Sequence, residues 1–298
     1  MPPTVAYPLS AFLMIALPLS LGIILERKLG LGWRLWWIGG AGFVLSQAGH
    51  IPFNFGLTAL FQKGILPIPP ESAPGLTMAG RLVINATILG LSAGLWEELT
   101  RYAVFRWWAK DARTWRKGVW LGAGHGGIEA ILLGTIMLAN FFYLMAMRNV
   151  DLATFIPQDQ LAFAKYAVAA YWSAPWHLIL LGPLERAMAL PIQISFSVLV
   201  LQTFVRRRIG WLFLAIGWHA FVDGAAVFAA GTWGVYAAES LVAVACLISL
   251  MIIFSLRQPE PQPAEDFSAP DFQPETRRAI DHNIIDTPEK LDRTRFTE

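Results

Sequence analysis

LVINATILGLSAGLWEELTRYAVFRWW, residues 82–108, decides the fold. The run exceeds the roughly 20 apolar residues that cross a bilayer, yet it carries Glu97, Glu98 and Arg101. A charge at mid-bilayer depth costs about 2.5 kcal/mol or more, so such residues face the interior of a helix bundle, find partners and mark function. Two other apolar runs carry the same burden, one holding His125 and Glu129, the other His219 and Asp223. Glu97 and Arg101, His125 and Glu129, and His219 and Asp223 are each one i,i+4 step apart, which places each pair on one helix face. The chain reads as a polytopic membrane protein with a buried acid, base or metal site.

Composition supports this class. Of 298 residues, 55% are hydrophobic and 15% charged, with a mean hydropathy of +0.49, which excludes an ordinary water-soluble globule. Cys246 is the only cysteine, so an intramolecular disulfide and a thiolate metal cluster are both excluded. The net charge of +2 conceals no basic stretch longer than Arg206, Arg207 and Arg208, and nucleic-acid binding has no support.

Seven runs are long enough to span: roughly 8–25, 33–52, 81–106, 118–146, 184–205, 210–229 and 232–256. The first follows an uncharged segment, residues 1–7, and precedes Arg27 and Lys28, the pattern of a retained anchor with its N-terminus outside. Basic residues then alternate by loop. Arg27, Lys28 and Arg34 fall in one, Arg106, Lys110, Arg113, Arg116 and Lys117 in another, and the Arg206 triplet in a third, while the intervening loops hold few. Cytoplasmic loops collect Lys and Arg, so seven spans put the N-terminus outside and the C-terminus in the cytoplasm; the expected location is a prokaryotic plasma membrane. Trp33, Trp36, Trp37, Trp107, Trp108, Trp115, Trp120 and Trp211 fall near the cytoplasmic interface, where indoles tend to sit.

One apolar stretch does not fit as a span. LAFAKYAVAAYWSAPWHLILLG, residues 161–182, would invert the last three helices if it crossed, and is read as an outer interfacial or re-entrant segment bent at Pro175. Residues 54–79, with Pro67, Pro69, Pro70 and Pro74, read as an outer loop with one short amphipathic turn. The fold class is therefore all-α: a transmembrane helix bundle of about seven spans over residues 1–256. From Arg257 onward, six basic and ten acidic residues with six prolines make residues 257–298 a disordered polar cytoplasmic tail.

Depth tests whether the charges can meet. At 1.5 Å per residue, Glu97 and Glu98 lie about 15 Å above the cytoplasmic end of their helix, His125 and Glu129 about 10 to 17 Å, and His219 and Asp223 about 13 to 20 Å. The three sets share one layer. Simpler readings exist for each alone: Glu98 with Arg101 as a buried ion pair, and His219 with Asp223 as an interhelical polar contact. Glu185 and Arg186 read as helix-opening charges near the outer interface, and His50 and His177 as interfacial side chains. The four glycines of GAGHGG, residues 122–127, admit either a tight helix crossing or an extended substrate segment beside His125.

Carboxylates and imidazoles together can accept a proton from water and stabilise the oxyanion of a hydrolysed amide. The same set can hold Zn²⁺ through nitrogen and oxygen donors with one position open to water. HExxH is absent, and no serine or cysteine has a basic partner suited to nucleophilic catalysis.

The motifs EELTR (97–101), HGGIE (125–129) and HAFVD (219–223), in that order, with SQAGHIPFN (46–54) upstream and LERAMALPIQISFSVLV (184–200) between, resemble the YhfC-type intramembrane metalloproteases. That group looks related to the PrsW, CAAX-processing and bacteriocin-processing membrane proteases, whose motifs run EExxK or EExxxR, FxxxE or FxxxH, and HxxxN or HxxxD. The resemblance covers roughly residues 40–230. Arg101 stands where the PrsW pattern has Lys, and His125 where it has Phe. The resemblance implies an intramembrane endopeptidase acting on a membrane-anchored protein or peptide in the lipid bilayer. Glu97 or Glu98 would be the general base; Glu98, His125, Glu129 and His219 would be metal donors or water-positioning groups; Arg101 would complete the first motif, and Asp223 would orient His219 or assist the oxyanion. Zn²⁺ and metal-free, glutamate-activated water both remain open. A proton-coupled or metal-ion transporter and a noncatalytic membrane scaffold are the alternatives from other classes.

Overall fold

The structure is a computed structural model that describes residues 1–66 and 78–259. Residues 67–77 of the expected outer loop, and the expected polar tail from residue 260, lie outside the described residues. Met1–Gln258 forms one unit. Its long helices are α1 (Pro3–Leu29), α2 (Arg34–Gln62), α3 (Met78–Ala103), α4 (Trp115–Met147), α7 (Leu181–Val205), α8 (Gly210–Trp233) and α9 (Val235–Ser255), with the shorter α5 (Gln158–Ser173) and α6 (Trp176–Ile179) before α7. There is no strand among the described residues.

Among the described residues, six helical stretches are long and apolar enough to cross a membrane: Pro3–Leu29, Met78–Trp108, Trp115–Met147, Trp176–Val205, Gly210–Trp233 and Val235–Ser255. The seventh long helix, α2, has 29 residues, but Gln47, His50 and Asn54 dilute its apolar character. It packs between α3 and α4 as the other spans do. Its extent corrects the expected end at residue 52 and the expected loop from 54. Pro52 has no N–H to give, but its φ is compatible with helix, and beyond it Asn54 reaches back to His50 while Thr58 donates to the Asn54 carbonyl.

The basic loops meet at one end of the bundle. Arg116 donates to the Leu29 carbonyl, Arg34 lies 3.6 Å from Asp111, Arg113 stands 4.5 Å over the Phe204 ring, and Trp115 Nε1–H donates to the Ile253 carbonyl at 2.7 Å. The C-terminal end of α9 is thus beside the α3–α4 and α7–α8 connections. At the opposite end Tyr7 stacks on Tyr171 at 3.9 Å, and Arg148 lies 5.0 Å over Trp172. The α5–α6 segment stays at that end, so seven helices pass between the ends and the two termini of the bundle oppose each other.

The α7 helix is enclosed most completely, with 72% of its most apolar window buried. Two of the tryptophans expected at the interface belong to the interior instead: Trp36 and Trp120 are fully buried, and Trp120 Nε1–H donates to the Gly32 carbonyl at 2.6 Å. Trp37, Trp107 and Trp108 are exposed. The glycines of residues 122–127 serve close helix crossing. A side chain at Gly124 would strike the Trp36 carbonyl of α2, and one at Gly126 would meet Gln193 of α7. On the other side of the bundle, Gly90 and Gly94 bring α3 onto the backbone of α8 at Ala220 and Ile216. These two crossings set the spacing of the helices that carry the charged motifs.

Candidate functional site

Glu97, Glu98 and Arg101 lie on the buried side of α3, His125 on α4 and His219 on α8, all within the interior. Adjacent glutamates diverge by about 100° on a helix, and the two find different partners. Glu98 pairs with Arg101 on its own helix and accepts the His219 Nδ1–H at 2.7 Å. Glu97 Oε2 accepts from His125 Nε2 at 3.2 Å, and His219 Nε2 lies 3.9 Å from the same oxygen. The His219 Nε2 also lies 3.4 Å from Asp223 Oδ2 one turn along α8. Both glutamates and both imidazoles therefore belong to one contiguous group, at the common depth expected from the sequence.

The His219 ring is fixed on two sides. Phe196 of α7 stacks on it with centroids 4.3 Å apart and planes 9° from parallel. Glu98 holds Nδ1, leaving Nε2 directed toward Glu97 and Asp223. Phe43 of α2 meets the His125 ring edge-on at 5.4 Å.

Glu129 joins through α7. Its Oε1 accepts from Arg186 Nη1 at 2.5 Å and its Oε2 from Gln193 Nε2 at 2.8 Å. Gln193 Nε2 also reaches Glu97 Oε2 at 3.3 Å, while Gln193 Oε1 accepts from Arg101 Nη2 at 2.6 Å. Arg186 pairs with Glu185 as well. Since α7 begins at Leu181, Glu185 lies in its second turn and borders the site, a placement different from the helix-opening charge expected. Glu98 and Glu129, both expected among the metal donors, are thus engaged by Arg101 and His219 and by Arg186 and Gln193.

A second arm extends along α2. Gln47 Nε2–H donates to Glu97 Oε1 at 3.1 Å, and Gln47 Oε1 accepts from His50 Nδ1–H at 3.3 Å. His50 Nε2 is met by Asn54 Nδ2 at 2.9 Å and Ser92 Oγ at 3.1 Å. Gln47 thus presents its amide N–H to Glu97 and its oxygen to His50, the arrangement a carboxylate acceptor calls for. His50, expected as an interfacial side chain, is half-buried within this chain; His177 is exposed.

Residues Glu97, Glu129, Glu185, Arg186, Gln193, His219 and Asp223 border a cavity of about 110 Å³ whose apolar walls include Ile192, Phe196, Val222 and Val242. Gln193, Arg186 and Gln47 were not singled out by the sequence reading as site residues. The available signal was a polar amide inside each of two apolar helices, at PIQIS and SQAGH.

The donor chemistry suits a divalent metal, because imidazole nitrogens and carboxylate oxygens are the usual ligands of Zn²⁺ with a position open to water. Of the candidate donors, His219 Nε2 and Asp223 Oδ2 lie 3.4 Å apart, near the edge of about 3.3 Å in a tetrahedron with metal–ligand bonds of about 2.0 Å. Among the described residues, no group of three or more His, Cys, Asp or Glu side chains is arranged so that it could hold a metal ion as it stands.

Comparison with known proteins adds a family to this geometry. The family model for YhfC intramembrane metalloprotease matches residues 13–246. A Bacillus subtilis (strain 168) protein described as "Uncharacterized membrane protein YhfC" is 28% identical over 222 residues, covering 74% of this chain and 82% of that protein. No solved structure matches the chain.

Proposed function

This chain belongs to the YhfC intramembrane metalloprotease family, and we propose that it hydrolyses a peptide bond of a membrane-anchored protein or peptide, using water activated beside Glu97. One observation carries the reading: Glu97, on a membrane helix, is buried against His125 and His219 at the margin of a cavity. Burial of a carboxylate among two imidazoles has no use in lipid packing, and suits proton transfer.

Glu97 would accept the proton of the attacking water and pass it to the leaving amine. Gln47 on one oxygen and Gln193 on the other fix its orientation. In the metal-dependent variant, His125 Nε2 would release its bond to Glu97 and, with His219 Nε2 and the Asp223 carboxylate, hold a divalent metal, Asp223 being suited because it has no hydrogen-bonding partner among the described residues except His219. Bound there, Zn²⁺ would lower the pKa of water and polarise the scissile carbonyl. Glu98 would keep the His219 tautomer with Nε2 free for this task, as carboxylates commonly do behind a metal-binding histidine. Metal-free activation by Glu97 uses the same carboxylate and the same amide clamps.

The chain is an integral membrane protein. Its basic end supports a cytoplasmic placement for the α1–α2, α3–α4 and α7–α8 connections and the C-terminus, in a prokaryotic plasma membrane. Purified protein reconstituted with tagged membrane-anchored substrates tests the activity, with cleavage fragments and metal content followed together. Cleavage at the wild-type rate by a Glu97→Gln, His219→Ala double variant would end this reading.

A further inference from the structure

At the basic end of the bundle, α3 leaves its regular geometry. Residues Val104–Trp108 form a π turn, closed by Ala109 N–H donating to the Val104 carbonyl at 2.9 Å. The wider turn keeps Phe105 in the core while Arg106, Trp107 and Trp108 face outward. Beyond it the chain curls so that Arg106, Trp107, Lys110 and Arg113 border a concavity of about 450 Å³.

Three cations around one hollow repel one another, and the local acid, Asp111, bears on Arg113 alone of the three. Asp111 is taken up by Arg34 at 3.6 Å and Lys117 at 3.4 Å. Arg106 and Lys110 have no ion-pair partner among the described residues. Arg113 is held rigidly: its guanidinium donates to the carbonyls of Phe105, Ala109 and Ala112 at 3.0 to 3.1 Å and lies over Phe204. Burial lowers its pKa below the ordinary arginine value; Asp111 opposes this and Arg106 adds to it. One cation is thus fixed beside two exposed ones, a form that suits an anion with several oxygens.

We propose that this hollow binds the phosphate headgroup of an anionic phospholipid, with Arg106 and Lys110 on the phosphate and Trp107 against the glycerol and upper acyl chain. Depth argues for a lipid source. The hollow is at the end of a membrane-crossing helix, beside indoles of Trp107 and Trp108 that are 63% and 50% exposed, and amphipathic indoles settle at the headgroup level. Basic residues at a helix end also follow from topology and the helix dipole alone, so the test must separate a site from diffuse charge. This assignment is independent of the proposed peptidase chemistry.

The experiment is lipid binding by the full chain in a neutral detergent, read by native mass spectrometry with added dioleoylphosphatidylglycerol, dioleoylphosphatidylcholine or inorganic phosphate. One retained phosphatidylglycerol per chain is expected, bound more tightly than phosphatidylcholine. An Arg106→Gln, Lys110→Gln variant should weaken it about fivefold per charge, the factor corresponding to about 1 kcal/mol for each Lys or Arg near an anionic surface. The charge-matched control Arg207→Gln, Arg208→Gln removes two exposed cations from the α7–α8 turn and should leave retention unchanged. Equal losses in both variants would reduce the effect to diffuse attraction and overturn the site. Displacement of the lipid by millimolar inorganic phosphate would assign the hollow to free phosphate and overturn the lipid.

Discussion

His219 donates its Nδ1–H to Glu98 across 2.7 Å, tying α8 to α3 at the depth of the charged layer. The bond makes Glu98 a shared acceptor, because Arg101 binds the same carboxylate. Removing it leaves a buried guanidinium without its charge partner. Glu98→Ala should therefore destabilise the protein by about 3–5 kcal/mol. Glu98→Gln, which keeps an acceptor oxygen, should cost less. Unfolding in detergent, followed by tryptophan fluorescence, checks the order; equal stability of Glu98→Ala and wild type would contradict the pairing.

Glu97→Gln separates chemistry from folding. The amide preserves volume and keeps one acceptor oxygen for its neighbours, but it cannot take a proton from water. Cleavage should fall by about 10² to 10⁴-fold, the usual contribution of a general base, while the unfolding midpoint changes little. A normal rate in this variant would remove Glu97 from the role of base.

Gln47→Leu should lower the cleavage rate without matching the loss in Glu97→Gln, because it releases one oxygen of the carboxylate but leaves Gln193 on the other. A net hydrogen bond to a charged group is worth about 1.5–3 kcal/mol, which bounds the effect. Kinetics at saturating substrate distinguish a loss of orientation, which lowers kcat, from a loss of substrate binding, which raises KM.

Arg186 faces two carboxylates, Glu129 and Glu185. Arg186→Met should destabilise more than Glu129→Gln, since it strands two acids where the other change leaves one pair intact. Adding Glu129→Gln to Arg186→Met should restore part of the loss, with a coupling of about 0.5–3 kcal/mol in a double-mutant cycle. Strict additivity of the two changes would show that the groups do not interact.

The helix crossing at Gly124 gives a packing test. A methyl there meets the Trp36 carbonyl, whereas one at Gly217 meets nothing within 4 Å. Gly124→Ala should cost about 1–3 kcal/mol by forcing α2 from α4, and Gly217→Ala should be neutral. The thermal midpoints of both variants decide the matter.

Much of the architecture was legible in the sequence because bilayer length and hydropathy constrain a helix strongly. The matched depths of Glu97, His125 and His219 anticipated their meeting, since three helices of known direction leave little freedom along the membrane normal. Rotation about each helix axis was less visible. Trp36 and Trp120 looked interfacial by position, but tight crossing at Gly124 and neighbouring glycines turns them inward. The extension of α2 past Pro52 was hidden because the lost backbone bond is local, whereas the side-chain bonds of Asn54 and His50 that accompany it depend on helix geometry. Gln193 went unassigned because a single glutamine in a long apolar helix has no pattern; its role appears only when α7 lies between Arg101 and Glu129.

The enclosure of α7 also constrains how the bundle is made. Glu185, Arg186 and Gln193 would each face lipid if this helix stood alone, at a cost that rises toward the bilayer centre. Their partners on α3 and α4 are synthesised earlier, whereas α8 and α9, which cover the remaining side, come later. Insertion of α7 is therefore coupled to the presence of a receptive groove, and truncation after Val205 should yield a chain whose last helix is retained only while Glu129 and Arg101 are there to receive it.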